Sequence, residues 1–288
     1  QFEAAELLFA RDQPQLKNES LPFGVLILPV PSDSEKQSLG IMVQVPKAAL
    51  ASAGPLEVYG YAISTSGQVE DHFAHFLRLD ADAAIASSSS DWLGLSFAGR
   101  FEVPPGPYTL KFLAQRPQTG ESGMRFFEVS VPKREASRGF LLPPLFLDTP
   151  HGWSTVALKS GDLSGMPIEM QLGGVPFTPR TEINVRPGRR ERVVLIAYDP
   201  ETAKDPAVDV DIRSTLSDDS GKQFSPGSII VENVVRSDDG RRSYVLGFTP
   251  QDIPPGEYTL RMHIGEKTSI LQSYCRLTVL PRESADNH

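Results

Sequence analysis

The sequence predicts an all-β chain built from two β-sandwich modules, and two observations carry that prediction. The phrase VPPGPYTLKF at 103–112 returns as IPPGEYTLRM at 253–262. Because Pro-Pro-Gly cannot continue a helix, while Tyr, Leu and Phe or Met alternate at period two, each copy predicts a turn followed by a half-buried strand. The second observation is composition: 288 residues leave room for about two domains, and 25 Pro and 23 Gly at turn-like intervals are typical of a strand-rich chain.

The first module contains about seven predicted strands. Apolar runs or alternating patterns predict strands at 25–28, 39–45, 56–64, 69–79, 92–103 and 108–114, with a closing strand through Phe127, Val129 and Val131. The segment Ser64 to Gly67 predicts a hairpin turn. Seven strands are the number found in an immunoglobulin-like or fibronectin-III-like sandwich.

The second module repeats this order. Strands are predicted at 193–198, 208–213, 229–235, 243–248, 258–262 and 274–280, with a turn at Asp238-Asp239-Gly240. The final hairpins of the two modules correspond almost residue for residue. The fold class is therefore two tandem immunoglobulin/fibronectin-III-like β-sandwich modules.

A segment between the modules, roughly 140–178, has no counterpart in the first module. Its start, FLLPPLFL at 140–147, would expose a large apolar patch if it stayed in water. We therefore expect an apolar, ordered junction that packs as a strand against one module or in a groove between them. The predicted boundaries are an arm or linker at 1–21, module 1 at 22–135, junction and extra strands at 136–178, module 2 at 179–282 and a disordered tail at 283–288.

Charge and composition limit the classes of function. The net charge is −8 and neither half is basic, which argues against nucleic-acid binding. No apolar stretch is long enough for a membrane span, and the first residues lack the basic start of a signal peptide. The single cysteine, Cys275, alternates with Leu277 and Val279, so we interpret it as a small buried hydrophobe.

We find no catalytic motif, and no cofactor or metal site is predicted. No Gly-x-Ser-x-Gly elbow is present. On a strand, His72 and His75 would point to opposite faces, so the two side chains could not bind the same metal ion. His151 could line a binding pocket with Trp153, although a turn anchored by Trp153 is favoured, and His263 is expected at the surface or as a satisfied core residue.

Three acidic pairs raise calcium binding as an alternative to turns. They are Asp80 with Asp82, Asp218 with Asp219, and Asp238 with Asp239. None has the spaced Asp-x-Asp-x-Asp-Gly pattern of a calcium loop, so turns are favoured.

Two candidate binding features remain. Five arginines lie close together in an acidic protein: Arg180, Arg186, Arg189, Arg190 and Arg192. Guanidinium groups suit planar oxyanions, so this run could bind an acidic protein partner or an anionic polysaccharide, although a solvated strand edge protected by charge is favoured. Tyr59 and Tyr61 would share one strand face, which makes them the best candidates for stacking on a sugar.

The order of these phrases resembles a known region. LPFGVLILPVP, LEVYGYAISTSGQVEDHF, FEVPPGPYTLKF, PPLFLDTPHGW, LGGVPFTPRTEINVRPGRRERVVLIAYDP and FTPQDIPPGEYTLRM resemble the region that follows the von Willebrand factor A-like domain in exported acidobacterial-type proteins. The likeness extends over most of residues 21–281. It implies export and interaction roles, and nothing of that domain's metal site is carried over, because no Asp-x-Ser-x-Ser motif is present.

Three functional hypotheses follow. The first is a noncatalytic extracytoplasmic tandem β-sandwich, periplasmic, at the cell surface or secreted, that spaces or presents a neighbouring domain of the precursor and binds protein partners. The second is a carbohydrate-binding accessory module that uses Tyr59 or Tyr61. The third is an enzyme with an unrecognised site, which a deep pocket of converging polar side chains would favour.

Overall fold

The computed structural model describes residues 20–30, 34–50, 54–79, 92–133, 139–148, 152–158, 170–172, 175–198, 211–237, 241–266 and 269–282. The predicted arm before residue 20, the tail at 283–288, His151 and the acidic pairs Asp80/Asp82 and Asp238/Asp239 lie outside these ranges. The chain folds into two compact units.

Twenty strands and one short 3-10 helix (Lys47–Leu50) make up the described secondary structure. The strands are β1 Gly24–Val30, β2 Gln37–Pro46, β3 Gly54–Ser64, β4 Val69–Leu79, β5 Gly94–Val103, β6 Gly106–Arg116, β7 Glu121–Val131, β8 Phe140–Leu141, β9 Leu145–Phe146, β10 Trp153–Ala157, β11 Gln171–Leu172, β12 Val175–Pro176, β13 Asn184–Val185, β14 Glu191–Tyr198, β15 Asp211–Ser217, β16 Gln223–Phe224, β17 Ser228–Arg236, β18 Arg241–Thr249, β19 Gly256–Glu266 and β20 Ser269–Val279.

The first unit is a sandwich of two four-stranded sheets, ordered β1-β2-β5-β10 and β4-β3-β6-β7. Its core takes side chains from both sheets, with Phe97 and Phe101 from one and Phe73 and Phe112 from the other. The rings of Phe73 and Phe101 stack with their centroids 5.4 Å apart. Alternation along each strand puts these apolar side chains on the inner faces, as the sequence pattern predicts.

The second unit pairs the sheet β17-β18-β14-β8 with the sheet β13-β20-β19-β15-β16, and β9 also pairs with β14. Leu195 and Leu246 from the first of these sheets and Leu260 and Leu277 from the second lie in one core cluster. In both units, hairpins such as β3-β4 and β17-β18 stay within one sheet and the chain crosses to the other sheet between them, as in immunoglobulin-like sandwiches.

Each Pro-Pro-Gly-x-Tyr phrase folds into the same hydrogen-bonded corner. The Tyr108 hydroxyl donates to the Pro104 carbonyl oxygen at 2.9 Å, and the Tyr258 hydroxyl donates to the Pro254 carbonyl oxygen at 2.9 Å. A tyrosine bonded back to the chain just upstream, at the entry to the penultimate strand, is the tyrosine corner of β-sandwiches. The predicted all-β fold class of two immunoglobulin-like sandwiches is confirmed.

Residues 140–178 are divided between the two units. Strands β8 and β9 pair with β14, and Leu141 and Phe146 enter the core of the second unit. The Asp148 N–H donates to the Thr178 carbonyl oxygen at 3.0 Å, and both residues belong to the second unit. The apolar start of the predicted junction is thus a sheet edge of the second unit.

Between these two points the chain contributes a strand to the first unit. Strand β10 runs parallel to β5, and the Trp92 indole N–H donates to the Ser154 hydroxyl at 3.0 Å. Leu158 joins the core of the first unit above Gly99, where an added Cβ would lie 2.7 Å from the Leu158 Cβ. The glycine therefore makes room for this returning segment.

Candidate interaction surfaces

The predicted arginine run does not form one anion site, because its side chains have different partners, chiefly the carboxylates of Glu191 and Glu232. Arg180 lies 2.9 Å from the carboxylate of Glu191, which is only 4 % exposed, and Arg189 lies 3.8 Å from the same group. Arg186 donates to the Pro281 carbonyl oxygen. Arg180 thus compensates a buried charge at the start of β14, which is a structural role.

The other two arginines reach a second carboxylate on a different strand. Arg190 lies 2.7 Å from the carboxylate of Glu232 in β17, and Arg192 lies 3.7 Å from it. Both arginines are more than half exposed. An added Cβ at Gly247 would lie 2.5 Å from the Arg190 Nε, so this side chain crosses the intervening strand β18 over the glycine.

Strand β17 carries a patch that the sequence pattern predicted as a strand but not as a site. Within the described residues it pairs only with β18, at the end of its sheet. Ile230, Val231 and Val234 are 55 %, 46 % and 41 % exposed. We call β17 with these three side chains the β17 edge. The signal in the sequence is the run SIIVENVVR, which is apolar on both sides of the strand.

Two of these side chains belong to the core side of the sheet. Val231 is opposite Leu246 and Val234 is opposite Tyr244, and both of these β18 partners are core residues. Directly paired residues project from the same face. Val231 and Val234 thus face the interior side yet remain accessible, and no described strand closes the sandwich along this edge.

Tyr59 and Tyr61 lie on the outer face of the sheet β4-β3-β6-β7, on one side of β3 as predicted. Tyr59 is only 2 % exposed, contacts Leu113 and Met124, and donates its hydroxyl to Glu57 at 2.8 Å. Burial and this carboxylate raise the pKa of Tyr59. A sugar cannot stack on a ring that is covered in this way, so the pair does not offer the expected platform.

The same outer face has exposed aromatic residues at its two edge strands. Phe76 on β4 is edge-on to Tyr59, and Phe126 on β7 lies below the Lys111 ammonium, 5.6 Å from the ring centroid. Tyr61 stacks on His72. Each of these rings therefore packs against a neighbouring side chain. The covered Tyr59 separates Phe76 from Phe126.

The histidines of β4 point to opposite faces. His72 contacts Tyr61 on the outer face, whereas His75 packs edge-on against the core residue Phe97. Burial lowers the pKa of His75. Across the described part of the chain no three His, Cys, Asp or Glu side chains come together as metal ligands.

The turn at Asp218 and Asp219 is held by its own hydrogen bonds. Asp218 accepts from the backbone N–H of Ser220 and of Lys222, each at 3.0 Å, and hydrogen bonds led by the Ser220 hydroxyl lower its pKa. Asp219 pairs with Arg276 at 2.6 Å. This is the geometry of an Asx turn.

A groove of about 320 Å³ lies beside β13 in the second unit. It is lined by Thr181, Glu182, Ile183, Asn184, Glu257, Arg276, Leu277 and Thr278. The guanidinium group of Arg276 in this groove is already paired with Asp219, which does not line the groove. Cys275 next to it is partly buried against the core, and burial raises its pKa to about 12, so the thiol is not activated as a nucleophile.

Comparison with known proteins gives structural likeness without a family. No family model and no curated protein matches the chain. Among solved structures, an ICAM-5 D1–D4 ectodomain fragment is 11 % identical with a TM-score of 0.23, covering 89 % of this chain and 53 % of that one. Rst D1-D2 is 11 % identical with a TM-score of 0.21, covering 90 % of this chain and 100 % of that one.

An enzyme structure also matches a smaller part of the chain. The endo-fucoidan hydrolase MfFcnA4 from glycoside hydrolase family 107 is 12 % identical with a TM-score of 0.22, and the match covers 64 % of this chain and 21 % of that one. The chain thus spans about half of the ICAM-5 fragment and about a fifth of the hydrolase. TM-scores this low carry no argument about function.

No helix in the described ranges is long and apolar enough to cross a membrane.

Proposed function

We propose that this chain is a noncatalytic protein-interaction module that binds an extended segment of a partner protein along the β17 edge. The observation that carries the proposal is the accessibility of Val231 and Val234, which face the core side of an edge strand. An edge strand presents a row of backbone N–H and C=O groups with no partner in its own sheet. The Val234 N–H donates to the Asn233 side-chain oxygen at 2.8 Å. An added strand would satisfy the other outward groups and cover the two valines, as in recognition by β-strand addition.

The wider context of this role is also a proposal. The resemblance to the region after a von Willebrand factor A-like domain supports an extracytoplasmic module that spaces or presents a neighbouring domain. The two tyrosine corners support a scaffold role, because each fixes the entry to a final hairpin. Carbohydrate binding through Tyr59 has no support from the geometry of that side chain.

Strand addition can be tested with a labelled peptide of alternating Val and Ser that matches the length of β17, nine residues. Fluorescence anisotropy should show saturable binding to the wild type. A matched peptide with N-methyl groups at alternate backbone nitrogens should not bind, because it cannot complete the ladder.

Variants of the protein locate the binding site. Val231→Asp and Val234→Asp should each abolish binding, since they place a carboxylate where an apolar side chain of the added strand would lie. Val175→Asp is the matched control, because Val175 is exposed on β12. Equal binding by all variants, or no binding by the wild type, would refute the proposal.

A further inference from the structure

The outer side of the β17 edge carries unequal charge. Arg190 directly precedes β14 and Arg192 lies within it, and both side chains contact the single carboxylate of Glu232. These three groups have a net charge of one positive unit. The protein as a whole has a net charge of −8, so this cluster is locally positive in a protein that is acidic overall.

The positions of these groups place the excess beside the open edge. Glu232 is the extra residue of a bulge in β17, between Val231 and Asn233 in the register with β18. Arg190 reaches it by crossing Gly247, which leaves room for the guanidinium above β18. An added strand would lie about 4.8 Å from β17, within reach of a second carboxylate contact from these guanidinium groups.

We propose that the occupant of the β17 edge is a strand of another protein in which apolar residues alternate with Asp or Glu. Its apolar side chains point to the core side and cover Val231 and Val234, and its carboxylates point outward to Arg190 and Arg192. This identification rests on the proposed function and adds the chemistry of the partner. Two-sided recognition of this kind also fixes the register, because a shift by one residue would exchange the two faces.

A second copy of this chain fits the edge less well. Pairing β17 with the same strand of another copy would bring two clusters of equal net positive charge to one outer face. Like charges placed across neighbouring strands are destabilising. An acidic partner strand removes this repulsion.

The test uses three labelled peptides of equal length in which Val alternates with Glu, Ser or Lys. At low ionic strength, the Glu peptide should bind about fivefold tighter than the Ser peptide, and the Lys peptide weakest. Added salt should reduce the difference between the Glu and Ser peptides, since exposed ion pairs are screened.

Two double variants separate charge recognition from strand addition. Arg190→Gln with Arg192→Gln should remove the preference for Glu while binding of the Ser peptide persists. Arg213→Gln with Arg276→Gln is the matched control on the other sheet, where both arginines are exposed, and should keep the preference.

The outcomes distinguish the two proposals. Equal affinity of the three peptides for the wild type overturns the acidic partner and leaves strand addition standing, whereas binding of none overturns both. A concentration-dependent dimer in sedimentation velocity that Val234→Asp abolishes would instead assign the edge to a second copy.

Discussion

Removal of one hydroxyl group from a tyrosine corner tests how the repeated phrase stabilises the fold. Tyr108→Phe keeps the ring in the core of the first unit and deletes only the hydrogen bond to the Pro104 carbonyl oxygen. The bond is 2.9 Å long and partly buried, so its loss should lower the free energy of unfolding by about 1 kcal/mol. With a urea m value of about 2 kcal/mol/M, the midpoint should fall by about 0.5 M.

Tryptophan fluorescence suits this measurement, because Trp92 and Trp153 are the chain's two tryptophans and both belong to the first unit. Ser130→Ala is the control within the same unit, since it also removes one hydroxyl group, from an exposed position on β7, and should change the unfolding free energy by less than about 0.5 kcal/mol. An unchanged midpoint for Tyr108→Phe, or an equal shift in the control, would refute the corner as a stabilising contact.

Three further predictions concern the returning segment, the buried carboxylate and the thiol. Leu158→Ala should destabilise the first unit by about 2–3 kcal/mol in the same urea assay, because Leu158 is 4 % exposed in its core; a change below about 0.5 kcal/mol would contradict the docking of this segment. Arg180→Ala should lower the melting temperature by more than Arg213→Ala, since it leaves the buried Glu191 without its 2.9 Å partner; equal shifts would count against that pair. Alkylation of Cys275, followed by mass spectrometry at pH about 8, should be slow in the folded protein and fast in denaturant. Burial raises its pKa to about 12, so the thiol stays protonated; rapid native labelling would contradict this burial.

Local patterns in the sequence were sufficient to predict the long paired strands of both units, but not the strands β10 to β13 and β16. The alternation of Leu39, Ile41 and Val43 depends only on neighbours two residues apart, and it corresponds to the core-facing side of β2, although the other face of this strand is buried too. The Pro-Pro-Gly-x-Tyr phrase is similarly local, because its hydroxyl bonds four residues upstream.

Features that depend on distant pairing could not be predicted in this way. Arg190 finds its carboxylate on Glu232, two strands away, and nothing in the arginine run itself indicates that partner. The parallel pairing of β10 with β5 joins residues far apart in the chain. The burial of Tyr59 on an outer sheet face likewise has no signal in an alternating strand pattern.

The β17 edge also needed the structure, since its meaning depends on the strand order. The run SIIVENVVR predicts a strand, but only the sheet order places that strand at an end. Only the register with β18 shows that Val231 and Val234 face the core side. The sequence pattern therefore predicts the strand and leaves its role as an interaction surface undetermined.

Backbone hydrogen exchange of β17, measured with and without the peptide of alternating Val and Glu, tests the central claim most directly. If a strand adds to the β17 edge, the peptide should slow exchange at alternate amides of β17, those that point away from β18. Amides of the opposite sheet, such as those of β15, should be unaffected. Protection elsewhere with none in β17 would contradict strand addition at this edge.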